Sequence, residues 1–234
     1  MNKWGEENGY RFKIVQYPYG DLNKQYTLGM VSGELPDLTM INNCDTASYV
    51  EMGMLQDITD QVETWGETEN FYETSLNTTT IDGKLYGLPY NSNCLALYYD
   101  EDQLKAAGVE VPKTWDELYN AAVELTDPSQ NRYGYSFRGG AGTTGFLQMT
   151  ILSFEDPAKV DIAVPFISKD GRSMYDQPEA IEALEFYKKL YEDGSHPDSI
   201  AWGYSEMVEA FYSGVTAMLI QDPEVVATCE EYME

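Results

Sequence analysis

Strand-like and helix-like segments alternate along this 234-residue chain, and that alternation points to the α/β class. Arg11-Phe-Lys-Ile-Val-Gln-Tyr17 alternates and is rich in β-branched and aromatic residues, which predicts a strand after the turn at Asn8-Gly9. Leu22 to Ser32 predicts a helix stopped by Gly33, since glycine takes the left-handed conformation that ends a helix at little cost. Leu35 to Ile41 is a nearly continuous apolar run, the pattern of a strand buried on both faces of a parallel sheet. A helix over Thr46–Met52 and a connector over Leu55–Asp60 follow. Ile81 to Pro89 predicts a hairpin around Asp82-Gly83.

The second half repeats the alternation. Cys94–Tyr99 predicts a strand, and Asp100 caps a helix stopped at Gly108. Thr114-Trp-Asp-Glu117 has the spacing of a capping box and opens a helix to Leu125. Tyr133–Phe137 predicts a strand, followed by the glycine cluster Arg138–Gly145 and a helix through about Phe154. Asp176-Gln-Pro-Glu179 opens a helix ended by Gly194, with Ile181, Leu184, Tyr187 and Tyr191 on one face. Ser205 caps a further helix ended by Gly214, Thr216–Ile220 predicts a strand, and Glu224–Glu234 predicts a helix.

Composition narrows the function. The chain has 40 Asp and Glu against 14 Lys and Arg, a net charge of −26. A field of that sign repels nucleic-acid phosphates and anionic lipid headgroups, and leaves a neutral ligand unopposed. No stretch approaches the roughly 18 apolar residues of a spanning helix, and the polar start Met1–Glu7 lacks the apolar core of a signal peptide. Three scattered cysteines, Cys44, Cys94 and Cys229, make no disulfide scaffold and are expected to be reduced. With a single histidine, His196, in the turn Gly194-Ser-His-Pro197, neither a Cys/His zinc site nor a His-based nucleophile is expected, and His196 is expected at the surface. There is no P-loop, dinucleotide fingerprint, HExxH or EF-hand loop, so no cofactor or metal is expected.

Several residues have chemistry suited to a polyhydroxyl ligand. Sugar rings stack their C–H faces on aromatic side chains, while their hydroxyls need amide and carboxylate partners. Among 19 Tyr, 8 Phe and 4 Trp, Trp202 stands in a loop where ligand contact and simple anchoring account for it equally. Asn42-Asn43-Cys44-Asp45 follows an expected strand end, where α/β sheets bind ligands, and Asn91-Ser92-Asn93 precedes the strand from Cys94. Ordinary turn chemistry accounts for both amide clusters as well. The amides of the glycine cluster suit a ligand oxygen, and a plain loop explains them equally. With so many carboxylates, a glycosidase pair has no specific signature.

Taken in order, Ser32-Gly-Glu-Leu-Pro-Asp37, Leu55–Asp60, Asp82-Gly-Lys-Leu-Tyr-Gly-Leu-Pro-Tyr90, Leu97-Tyr-Tyr-Asp100, Leu104–Leu118 and Phe211–Ile220 resemble the family 1 extracellular solute-binding proteins, receptors of ATP-binding-cassette sugar importers. The resemblance implies a two-lobe periplasmic-binding-protein-like fold (type II), an extracytoplasmic location, a sugar or oligosaccharide ligand, permease subunits as partners, and no enzymatic activity. It nominates Asn43 and Asp45 in a lobe-one loop, Asn93 near the hinge, and Gly140 with Phe146 in lobe two, while Asn91 is a candidate from its place in the amide cluster before Cys94. Where the family reads a glycine and a stacking tryptophan after the strand ending at Ile220, this chain reads Gln221-Asp222-Pro-Glu224. Either Trp202 substitutes, or hydrogen bonds from residues such as Asp222 and Glu224 hold the ligand. A carbohydrate hydrolase and a polyamine receptor are the alternatives. Against the family pattern the chain reads as a fragment short of the first strand and of the C-terminal return to lobe one. Residues 1–93 are then a partial lobe one with its binding loop at 42–45, and 94–234 the hinge strand and lobe two. Self-association through the incomplete lobe is expected, around Leu38, Met40 and Ile41.

Overall fold

The computed structural model describes residues 1–91, 94–160 and 166–233. They fall into two compact units, Met1–Tyr90 and Asn91–Glu234.

The first unit is built from short helices: α1 (Asn2–Asn8), α2 (Leu22–Ser32), α3 (Thr46–Glu51), α4 (Thr59–Trp65) and α5 (Glu73–Asn77). Helix α2 ends at Gly33 in the left-handed conformation, as its sequence predicts. Tyr26 of α2 meets Tyr49 of α3 edge-on, 6.2 Å between centroids, and its hydroxyl donates to Met40 O at 2.7 Å. The ladder described here is the hairpin of β1 (Thr80–Ile81) and β2 (Lys84–Leu85), paired Thr80 with Leu85 and Ile81 with Lys84. Asp82 (φ 50°) and Gly83 (φ 76°) are both left-handed, the pattern of a type I′ turn, whose twist suits the flanking strands. Residues 55–60, expected as a connector, tie this hairpin to α4. Asp57 accepts from both the amide and the hydroxyl of Thr59, Ile58 N donates to Leu85 O, and Lys84 pairs with Asp57 at 3.1 Å.

Two expected strands do not form. Residues 11–17 and 35–41 carry no ladder, and Ile14, Val15, Leu38 and Met40 are exposed. A strand is stable only when a neighbour accepts and donates its backbone hydrogen bonds. Among the described residues of this unit no strand pairs with either segment.

The second unit holds a three-stranded sheet in the order β3 (Ala96–Tyr99), β5 (Thr216–Gln221), β4 (Tyr133–Tyr135). The central strand is buried along its whole length; it runs antiparallel to β3 (Ala96 opposite Gln221) and parallel to β4 (Tyr135 opposite Met218). Helices α6 (Glu101–Ala107), α7 (Trp115–Glu124), α8 (Thr143–Phe154), α9 (Pro178–Gly194), α10 (Tyr204–Tyr212) and α11 (Val225–Tyr232) complete the unit. The predicted caps are present. Asp100 accepts from the amides of Asp102 and Gln103, and Thr114 accepts from Glu117 N. Glu117 returns its carboxylate to Lys113 N at 2.7 Å, one residue before the cap. Helix α10 starts at Tyr204, a residue earlier than the expected Ser205 cap, with Glu206 accepting from Gly203 N.

The core gathers Leu118, Ala122, Phe137, Leu190, Val208, Phe211 and Leu219. Helix α9 is rotated relative to the face expected from its sequence. Ile181 and Leu184 are exposed, while Ala180, Ala183, Leu190 and Gly194 are buried. The small residues let α9 approach its neighbours closely. Ala180 and Ala183 pack on Ile151 of α8, and a Cβ on Gly194 would lie 2.7 Å from Ala122 Cβ of α7. All three cysteines are free thiols, Cys44 and Cys94 exposed and Cys229 half-buried.

Candidate functional site

The strand directions of the second unit converge on one edge. Because β4 and β5 run parallel, the segments that leave them, Ser136–Gly145 and Asp222–Glu224, emerge on the same side. Strand β3 runs the other way, so the residues that lead into it arrive at that edge, opposite Gln221. Carboxyl ends of strands are where open α/β sheets bind ligands, because the loops there are free to vary while the sheet is rigid.

The glycine cluster is a close-approach device. Gly139 N donates to Ser199 O at 2.9 Å and Gly140 N to Trp202 O at 2.8 Å, so the segment after β4 is zipped to the loop before α10. A Cβ on Gly139 would lie 2.4 Å from Ile200 O, and one on Gly140 would lie 2.5 Å from Ala201 O. Both positions therefore require glycine. The Gly140 amide is already donated, so its part in the site is to bring Trp202 to this edge. Gly142 (φ 88°) caps α8, and Arg138 folds over it, donating from Nε to Ala141 O at 2.7 Å with its guanidinium 5.8 Å above the Phe146 ring. Phe146 itself is buried in the core beneath that arginine.

At the end of β5, Gln221 is fully buried, and its Oε1 accepts from Asp222 N at 2.9 Å. Its Nε2 has no partner among the described residues. Asp222 is half-buried; burial first, and then the charge of Glu224, pushes its carboxyl pKa up, against the pull of Arg138. Tyr204 and Tyr98 sit in the same field, their phenol pKa values raised by burial first. Glu224 and Asp222 add to both shifts, and Arg138 opposes that of Tyr204. Tyr187, also raised by burial, donates to Arg138 O and shares a hydrogen bond with Thr143. The edge thus combines two carboxylates, one guanidinium and several rings.

Of the residues nominated from sequence, Gly140, Trp202, Asp222 and Glu224 meet at this edge, with Phe146 below it. Asn91 is exposed and precedes β3. Asn93 lies outside the described residues. Asn43 and Asp45 belong to the other unit, in a single turn after Asn42; Asp45 accepts from Asn23 Nδ2 at 3.2 Å and Asn43 is exposed. His196, expected at the surface, is half-buried between Tyr133 and Trp202. Arg138, Tyr98, Tyr204 and Gln221 carried no signal as spacings. The sheet order places Tyr98 beside Gln221, and the Gly139 and Gly140 hydrogen bonds bring the Arg138 and Tyr204 segments together. A separate groove of about 530 Å³ beside Val111, Pro112 and Glu117 contains none of these groups. Among the described residues no cluster of three or more His, Cys, Asp or Glu is placed to hold a metal ion.

A profile of bacterial extracellular solute-binding proteins matches residues 1–227. A binding protein of Brucella abortus (strain 2308) is 26% identical over 221 residues, covering 93% of this chain and 52% of that protein. The arabinooligosaccharide-binding protein of Bacillus subtilis (strain 168) is 24% identical over 197 residues, 82% of this chain and 42% of that one. Among solved structures, an ABC transporter solute-binding protein of Thermotoga lettingae TMO bound with α-D-tagatose superposes with a TM-score of 0.85 at 24% identity, covering 99% of this chain and 59% of that one. The fold is therefore that of the two-lobe type II periplasmic-binding proteins, of which this chain spans part; it covers about half the length of the curated relatives it matches. The chain belongs to the bacterial extracellular solute-binding protein family.

Proposed function

We propose that this chain is the ligand-binding part of a carbohydrate receptor that works outside the cytoplasm and hands a neutral sugar or oligosaccharide to an ABC transporter permease. The observation that carries the reading is the edge formed after β4 and β5. There, Asp222 and Glu224 offer hydroxyl acceptors, Arg138 offers donors, and Trp202, Tyr98 and Tyr204 offer rings. That mixture suits a ligand with apolar C–H faces and many hydroxyls. Relatives that bind an arabinooligosaccharide and α-D-tagatose support the same class. No bond-breaking step is assigned, and the carboxylates act as acceptors. Asn43 and Asp45 of the first unit, and Asn91 and Asn93, are candidate ligand contacts each in its own unit, and copies of the chain would associate through the first unit around Leu38, Met40 and Ile41.

A thermal-shift screen with sugars, polyols, sn-glycerol 3-phosphate and spermidine tests it. A ligand that binds only the folded chain stabilises it by RT ln(1 + [L]/Kd), so at a hundredfold excess over Kd the gain is about 2.7 kcal/mol. Stabilisation by neutral saccharides with no release of reducing ends is expected. Reducing ends would favour a hydrolase, and spermidine as the sole hit a polyamine receptor.

A further inference from the structure

Trp202 sits in a setting more specific than a loop anchor needs. The loop leading to it, Pro197–Ala201, is held by buried Ser199 and by a hydrogen bond from the Tyr191 hydroxyl to Pro197 O at 2.9 Å. Its own amide donates to Ser199 O at 3.1 Å, and its carbonyl accepts from Gly140 N, so the main chain is fixed at both ends of the residue. The indole plane is fixed separately. The imidazole of His196 stacks on it at 5.1 Å with 20° between the planes, and the Tyr133 ring closes on the imidazole edge-on at 4.8 Å and 66°. The imidazole cannot turn freely, because its Nδ1 accepts from Asp198 N at 3.1 Å. Acceptance at Nδ1 makes the neutral ring a donor at Nε2. Among the described residues no second ring stacks on the other side of the indole, which is half-buried rather than enclosed.

An aromatic pair of this kind contributes beyond the area it buries, and here the imidazole is itself held by the Tyr133 ring and the Asp198 amide. We propose that His196 is a positioning residue that braces one face of Trp202, so that the opposite face is presented to the C–H face of a single sugar ring at the β4/β5 edge. The ligand part of this inference rests on the carbohydrate reading above; the bracing part does not.

His196 has two separable roles, and two variants divide them. Asn at this position keeps an acceptor for the Asp198 amide, as asparagine is a good cap, but removes the ring. Phe keeps a ring and removes the acceptor. The full chain labelled with 5-fluorotryptophan gives a Trp202 line in ¹⁹F spectra, identified by its loss in Trp202→Phe. Both variants move this line through the changed ring current, so its width is the readout: bracing predicts that it broadens in His196→Asn and stays sharp in His196→Phe. A line that stays sharp in His196→Asn, or equal broadening in both variants, would mean that His196 only caps the loop, and overturns the proposal. D-tagatose and arabinotriose at millimolar concentration are the probes of the open face. Movement of the Trp202 line on addition of sugar supports it, with binding weakened about three- to tenfold in His196→Asn and less than about twofold in His196→Phe. A saccharide that stabilises the chain yet leaves that line unmoved overturns it. If no saccharide stabilises the wild-type chain, the carbohydrate reading fails, while the variant spectra without ligand still decide the bracing.

Discussion

Glu155 closes helix α8 with its side chain turned inward; the residue is 4% exposed, and neither carboxyl oxygen has a hydrogen-bond donor. Glu179, in the first turn of α9, likewise has Oε2 buried without a donor, while its Oε1 pairs with Lys159 at 3.2 Å. Burial, and next the Glu179 charge, raises the Glu155 pKa against the pull of Lys159. Glu179 is held low by its own backbone amide first and then by Lys159. A raised native pKa means the folded chain holds the proton more tightly than the unfolded one. Glu155 therefore contributes stability that is complete below the ordinary carboxylate value of about 4.3 and is lost as pH rises from there through the raised value. Glu155→Gln, a permanent donor, should abolish that slope of at most one proton, about 1.4 kcal/mol per pH unit. Urea midpoints across the acidic range check it, and an unchanged slope in the variant would contradict it. Steric limits at the residue scale are sharper still. A Cβ on Gly134 would lie 2.1 Å from Ala122 O, a backbone atom that cannot step aside. Gly134→Ala should cost roughly 3 kcal/mol or more, measured by chemical denaturation, with a loss below about 1 kcal/mol showing that α7 and β4 can part cheaply.

Among the elements, those with local causes were legible from sequence and those with distant causes were not. The hairpin at 80–85 follows from Asp82-Gly83 alone, and the starts of α6 and α7 follow from Asp100 and Thr114. Gly83→Ala forces a side chain into φ 76° and should lower the stability of the first unit by about 1 kcal/mol, read as earlier hydrogen exchange at Leu85 and Tyr86. Exchange unchanged at those amides would show that the Thr59 and Ile58 hydrogen bonds, not the turn, hold the hairpin. Residues 11–17 and 35–41 have strand composition, but a ladder needs a partner that composition does not supply. Helix α9 was legible in its limits and not in its rotation, because Ala180, Ala183 and Gly194 are buried for their smallness, which hydrophobic periodicity does not weigh. The candidate site divides the same way. Trp202, Asp222 and Glu224 stood out as residues, whereas Tyr98 joins them through the order β3-β5-β4, and Arg138 and Tyr204 through the zipping of the segment after β4 to the loop before α10.

On the scale of the whole molecule, the two units differ in how much of themselves they bury. The second has a continuous core from Leu104 to Val225, while the first buries Tyr26, Tyr49 and Val62 and leaves long apolar segments in solvent. Local opening tracks low burial, so limited proteolysis should cut first within the first unit and leave a fragment beginning near Asn91. Mass spectrometry of the products checks this, and first cuts inside α7 or α9 would contradict it. The central claim is that this chain binds a neutral carbohydrate at the edge where β4 and β5 end. Its most direct test is a titration of the isotope-labelled chain with arabinotriose and D-tagatose, followed by amide and indole resonances. The account predicts saturable shifts at Arg138, Gly140, Trp202 and Asp222, with the sugar recovered intact and binding lost in Asp222→Ala. Saturable shifts confined to the groove beside Val111 and Pro112, or consumption of the sugar, would contradict it.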